Sequence, residues 1–159
     1  MTRNRRRKAE IRTRQAATGT AYMVARRQIT PPTLAGVMQH HPLLHTFGIG
    51  VFEPRGKTPE QRQAEFAAGR VDLAGREAAV LETAAWLREN ITPIKTPTVD
   101  SYGMKHVMER ATHTYVTNGE FIAAALIAGY PFRYVQPNVL FGMSARDVRR
   151  VDPARQGGQ

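Results

Sequence analysis

Lys105, His106, Glu109 and His113 are the residues whose types and spacing come nearest to a reactive site. On a helix, His106 and Glu109 stand three residues apart and therefore face one another, and His113 follows two turns after His106. An imidazole beside a carboxylate can move a proton, and a lysine ammonium can steady a developing anion. Hydrolysis needs more than that, namely a nucleophile or a metal and a partner that orients the base. Spacing alone supplies neither, and Tyr102, Gly103 and Asn118 read as packing and turn residues. The group is therefore read as structural, and no catalytic residue is assigned.

Two other stretches invite a chemical reading. GIGVFEPRGKT, Gly48 to Thr58, ends like a phosphate-binding loop. Such a loop needs a first glycine five positions before the second, because its backbone amides must curl around the phosphates. Val51 stands there, Pro54 removes an amide, and Pro59 biases Thr58 away from helical geometry. A better reading makes Thr58 the N-cap of a helix with Pro59 in its first position and Glu60 in its first turn. His40, His41 and His45 in MQHHPLLHTF are close enough in sequence to suggest a metal, but Pro42 interrupts the helix that would align them. They read as a polar loop. The chain has no cysteine, so it has no disulfide, thiolate zinc site or cysteine nucleophile. No metal and no cofactor are expected.

The charge pattern says more. Among the first 27 residues, Arg3, Arg5, Arg6, Arg7, Lys8, Arg12, Arg14, Arg26 and Arg27 face a single acid, Glu10, so this segment carries +8 of the chain's +10. The rest holds 14 basic and 12 acidic side chains. The pI near 10.8 points to an anionic partner. Each Lys or Arg placed on a phosphate releases a condensed counterion, and arginine takes phosphate oxygens two at a time. Nucleic acid, DNA or RNA, is the expected partner, and the nine residues above are assigned to contact it. Lys105 and Arg110 are assigned with them, as part of a second positive patch that also holds His106 and Arg133. No apolar run approaches the roughly 18 residues of a membrane span. The basic start is not followed by an apolar stretch and a small-residue cleavage site, so the expectation is a cytoplasmic protein without a secretory signal.

These residues need elements to position them. The basic start reads as a helical arm, residues 1–30, with helices over 5–17 and 21–28. Thr18 and Gly19 separate the two helices and Thr20 caps the second. Residues 31–58 read as a loop-rich connector, 59–150 as an α+β body and 151–159 as a disordered tail. In the body, helices are expected over 59–68 and 73–91, the latter on the period Val80, Ala84, Leu87 and Ile91. ITPIKTPTVD, Ile91 to Asp100, reads as a connector. Met104, Val107, Met108 and Ala111 mark the next helix. Thr117 or Asn118 starts another, which ends at Gly129. Strands over 132–135 and 139–143 form a hairpin, and Ser144 caps a last turn bearing Arg146, Arg149 and Arg150. The fold class is α+β, mostly helical. Helix, turn, helix and hairpin is also the order of a winged helix-turn-helix. A base-reading helix must present polar side chains, yet EFIAAALIAGY has none between Glu120 and Tyr130, so that helix is expected to be buried.

Two patterns resemble known groups. Ser101, Tyr102, Gly103, Lys105 and His106, then Tyr115 to Ala125, then Pro137, Asn138 and Phe141 resemble a pattern of uncharacterised bacterial proteins of plasmids, phages and conjugative elements. Arg14, Gln15, Thr18, Gly19, Tyr22, Ala25, Arg26 and Arg27 resemble a short segment of actinobacterial proteins. The resemblance implies a mobile-element context and brings no catalytic residues. The expected function is that of a nucleic-acid-binding accessory protein. The alternatives are an adaptor that docks an acidic protein through the arm, and a small enzyme using the His106 region.

Overall fold

The computed structural model describes residues 9–10, 32–51 and 55–157, and the chain divides into two units, Met1–Pro32 and Thr33–Gln159. The arm helices expected over 5–17 and 21–28 lie outside the described residues, apart from Ala9 and Glu10, which are helical and exposed. The assigned contacts Arg3, Arg5, Arg6, Arg7, Lys8, Arg12, Arg14, Arg26 and Arg27 all fall outside them, as do residues 52–54.

The second unit runs α1 (Leu34–His40), β1 (Leu44–His45), β2 (Gly48–Ile49), α2 (Pro59–Ala74), α3 (Glu77–Asn90), β3 (Val99–Asp100), α4 (Ser101–Thr112), α5 (Asn118–Ala128), β4 (Phe132–Val135), β5 (Asn138–Phe141), α6 (Ala145–Val151) and α7 (Pro153–Gln156). It is an α+β fold, mostly helical, with a two-stranded sheet β1-β2 and a three-stranded sheet in the order β3-β5-β4, both antiparallel.

Helix α5 is the centre. Thr117 caps it, its hydroxyl accepting from the Glu120 N–H while Glu120 reaches back to the Thr117 N–H, a reciprocal pairing that satisfies two otherwise orphaned donors. Gly129 ends it in the left-handed region at φ 89°, where a side chain would be strained. Every residue from Asn118 to Ile127 is buried, because α1, α3, α4 and strands of both sheets pack around the helix. Each fully buried Phe, Leu or Ile there contributes roughly 1.5–3 kcal/mol. Gly119 allows a very close approach: a Cβ would lie 1.9 Å from the His45 carbonyl oxygen, and the Gly119 N–H donates to the Thr46 carbonyl at 3.0 Å. Beyond the cap, the Tyr130 hydroxyl lies 2.8 and 2.6 Å from the carbonyl oxygens of Leu87 and Ile91. Burial pushes that phenol up to about 12, so it stays a donor and ties the end of α3 to the end of α5.

Four boundaries differ from expectation. The break between the second and third helices falls at Gly75 rather than within 69–72. Gly69 lies inside α2, where a lone glycine costs about 1 kcal/mol against alanine, and its carbonyl accepts from the Thr46 N–H of the hairpin at 3.1 Å. The segment 31–58, read as connector, supplies α1 and β1-β2, which bring Leu34, Val37, Met38, Leu44 and Ile49 into the core. The connector 91–100 holds β3 and a bridge from Pro93 to Met143, so the hairpin gains a third strand and ends at Phe141 rather than Met143. The tail is helical from Pro153 to Gln156, with Asp152 capping it.

Candidate functional site

Asp100 begins α4 by accepting the Gly103 N–H at 2.9 Å, and His113 ends it in the left-handed region. The inward face is Met104, Val107 and Met108. Lys105 is buried beside them, only 4% exposed. Its ammonium donates to Glu109 Oε1 at 2.6 Å and to the Val116 carbonyl at 3.0 Å. It also lies 4.9 Å from the Tyr115 ring centre and 5.8 Å from that of Tyr102, distances at which an aromatic face attracts a cation. His106 Nδ1 is 2.8 Å from Glu109 Oε2, and the Val116 N–H reaches Oε1 at 3.3 Å. Burial pushes the Glu109 carboxyl up, but the hydrogen bonds from Lys105, Val116 and His106 outweigh it and hold the group below its ordinary value. An ionised Glu109 is acceptor-only, so His106 Nδ1 carries the proton.

This geometry makes Glu109 a hub that fastens the 113–117 segment to α4 and so presents Thr117 for the cap of α5. The Tyr102 ring meets His106 edge-on with centres 4.6 Å apart. Asn118 does not join the group. Its Nδ2 donates to the Phe47 carbonyl at 3.4 Å and to Asn138 Oδ1 at 3.0 Å, and its buried Oδ1 has no partner among the described residues. The arrangement orients an imidazole against a carboxylate, and among the described residues no serine or threonine hydroxyl is hydrogen-bonded to either.

The two body residues assigned to nucleic acid differ in their surroundings: Lys105 is enclosed, whereas Arg110 is exposed and bonded to a carboxylate. Lys105 is buried and engaged by Glu109, one helical turn on, where oppositely charged side chains meet. Arg110 grips Asp152 with two bonds of 3.1 Å, because the fold returns the end of the chain to α4. Other cations of the unit are engaged in the same way. Arg76 meets Glu120 at 2.7 Å and Lys57 meets Glu65 at 2.5 Å. Arg70 donates to four carbonyls, those of Met38, His41, Pro42 and Leu44. Arg133, Arg146 and Arg149 differ: they are exposed and have no protein partner among the described residues.

The three histidines do not converge. His40 Nδ1 bonds the Gly36 carbonyl at 2.8 Å, His41 Nδ1 bonds the Tyr134 hydroxyl, and His45 Nε2 bonds the Gly50 carbonyl at 2.9 Å. His45 is buried in β1 rather than placed in a polar loop. Burial and the Arg70 charge lower its pKa against the opposing Gly50 bond, so it stays neutral. No three His, Asp or Glu side chains among the described residues could hold a metal. Thr58 forms a capping box with Gln61 and Pro59 opens the helix, as the residue types require.

An open cleft of about 690 Å³ separates the β1-β2 hairpin from α2, with His45, Phe47 and Phe66 among its walls. Its charged lining, Lys57, Arg62, Glu65 and Asp72, sums to zero. Sequence reasoning missed this cleft, since Phe47 and Phe66 lie 19 residues apart and only the fold brings both to the His45 ring. No family model, curated protein or solved structure matches the chain.

Proposed function

We propose that the protein is a nucleic-acid-binding accessory protein that contacts phosphates through its basic N-terminal arm. The observation that carries this reading is the contrast in charge. The arm holds nine Lys and Arg against one acid, so it cannot neutralise itself. The rest of the chain holds 14 against 12, and most of its described cations are engaged by its own carboxylates and carbonyls. A dense cationic segment on a nearly neutral body suits a sequence-independent phosphate contact, whose affinity falls steeply with salt. The buried α5 supports the same reading, since the helix that would read bases in a winged fold has no free face. The resemblance to plasmid, phage and conjugative-element proteins suggests a bacterial mobile-element context for that role.

The test is purification of the full chain with and without nuclease, followed by sequencing of the nucleic acid retained. Nuclease-sensitive copurification of DNA or RNA is expected. An acidic protein retained after nuclease, with no nucleic acid, would replace this reading by that of an adaptor.

A further inference from the structure

We infer that the outward face of α6 is a second phosphate-contact surface, formed by Arg146 and Arg149; this rests on the nucleic-acid reading above. The inward side of the helix is fixed by packing and hydrogen bonds. Val148 and Val151 pack on the core, and the Asp147 carboxylate accepts the Thr92 N–H at 2.9 Å. At about 3.6 residues per turn, Arg146, Arg149 and Arg150 then fan across the opposite side. Arg150 is held by the Asn90 carbonyl at 2.6 Å and by Asp147 at 3.3 Å. Arg146 and Arg149 are exposed and have no partner among the described residues.

Both ends of this short helix are anchored. Ser144 caps it, and the Ser144 N–H bonds the Thr92 carbonyl at 2.9 Å. Asp152 closes it while gripping Arg110. The two free guanidinium groups therefore project from a fixed base. Residues three apart on a helix have Cβ atoms roughly 5–6 Å from each other, and like charges at such spacing are mildly unfavourable. A phosphate relieves that repulsion, and each guanidinium can take its oxygens two at a time. The only acid on α6, Asp147, is turned inward and cannot do so.

The experiment uses the full chain and fluorescence anisotropy on one DNA duplex at several salt concentrations. Arg146→Ala with Arg149→Ala is expected to weaken binding and to lower the slope of log affinity against log salt by about 2, close to one per lost contact. Arg146→Lys with Arg149→Lys is expected to keep the slope, because a lysine also neutralises a phosphate. An unchanged slope in the alanine pair, with wild type binding, overturns the α6 surface and leaves the arm reading standing. Loss of slope in the lysine pair overturns it as well, since charge is then not the cause. A wild-type chain with no affinity for duplex or single strand overturns both readings.

Discussion

Helices α4 and α6 carry similar numbers of cations and present them in opposite ways. On α4, Lys105 is buried against Glu109, His106 shares the same carboxylate, and Arg110 is gripped by Asp152. On α6, Arg146 and Arg149 project without partners, and the sole acid of the helix is bound to Thr92. The difference lies in where the acids are. Glu109 sits one turn from Lys105, and the fold carries Asp152 back to Arg110, whereas Asp147 reaches only Arg150 and no carboxylate among the described residues bonds Arg146 or Arg149. Composition counts a charge once, but only the surroundings decide whether solvent or a ligand meets it.

The largest effect tests the rule that a buried charge needs a partner. Leu126→Asp puts an unpaired carboxylate into the fully buried side of α5, and a loss above about 4 kcal/mol is expected, enough to unfold the body. A thermal melt close to wild type would show that α5 is not enclosed. Next comes the α4 pair itself. Glu109→Ala strands the buried Lys105 ammonium and should cost about 3 kcal/mol in urea unfolding, while adding Lys105→Met should recover much of it. If the single and double variants are equally unstable, the ion pair is not what the site depends on.

A smaller effect appears on α6 as pH changes. Hydrogen bonds from Thr92, aided by Arg150, hold the Asp147 carboxyl down to about 2, below its ordinary 3.8. A group depressed in the folded state adds stability above its unfolded value, and that stability is lost as pH falls through the folded one. Asp147→Asn should therefore melt below wild type near neutral pH, and the gap should close as pH approaches 2. A gap that stays constant with pH would remove the charge from the explanation. The smallest effect is expected for Arg146→Ala with Arg149→Ala, a stability change within about 0.5 kcal/mol. A larger loss would mean that these arginines hold the fold rather than face a ligand.

Local rules made parts of this fold legible. Thr58, Thr117 and Ser144 are caps because a hydroxyl can take a first-turn N–H, and the apolar run after Glu120 foretold a buried α5. His106 and Glu109 were neighbours by helical spacing alone. What stayed hidden depended on distant partners. Strand β3 exists only through its pairing with β5, and α1 is too short for its apolar residues Leu34, Val37 and Met38 to declare a helix without α5. The burial of Lys105 depends on the return of Tyr115 and Val116 after the left-handed His113, which no local pattern announces.

The central claim is that the arm, not the body, supplies most of the affinity for nucleic acid. The direct measurement compares the full chain with a variant in which Arg3, Arg5, Arg6, Arg7, Lys8, Arg12, Arg14, Arg26 and Arg27 are all replaced by Gln. Anisotropy across a range of salt would be recorded on a duplex and on an RNA hairpin. The account predicts that the variant keeps its thermal melt, loses most of its affinity for both, and gives a much shallower salt dependence, by about 0.9 for each duplex phosphate contact removed. A variant that binds both nucleic acids as tightly as wild type, with the same salt slope, would contradict it.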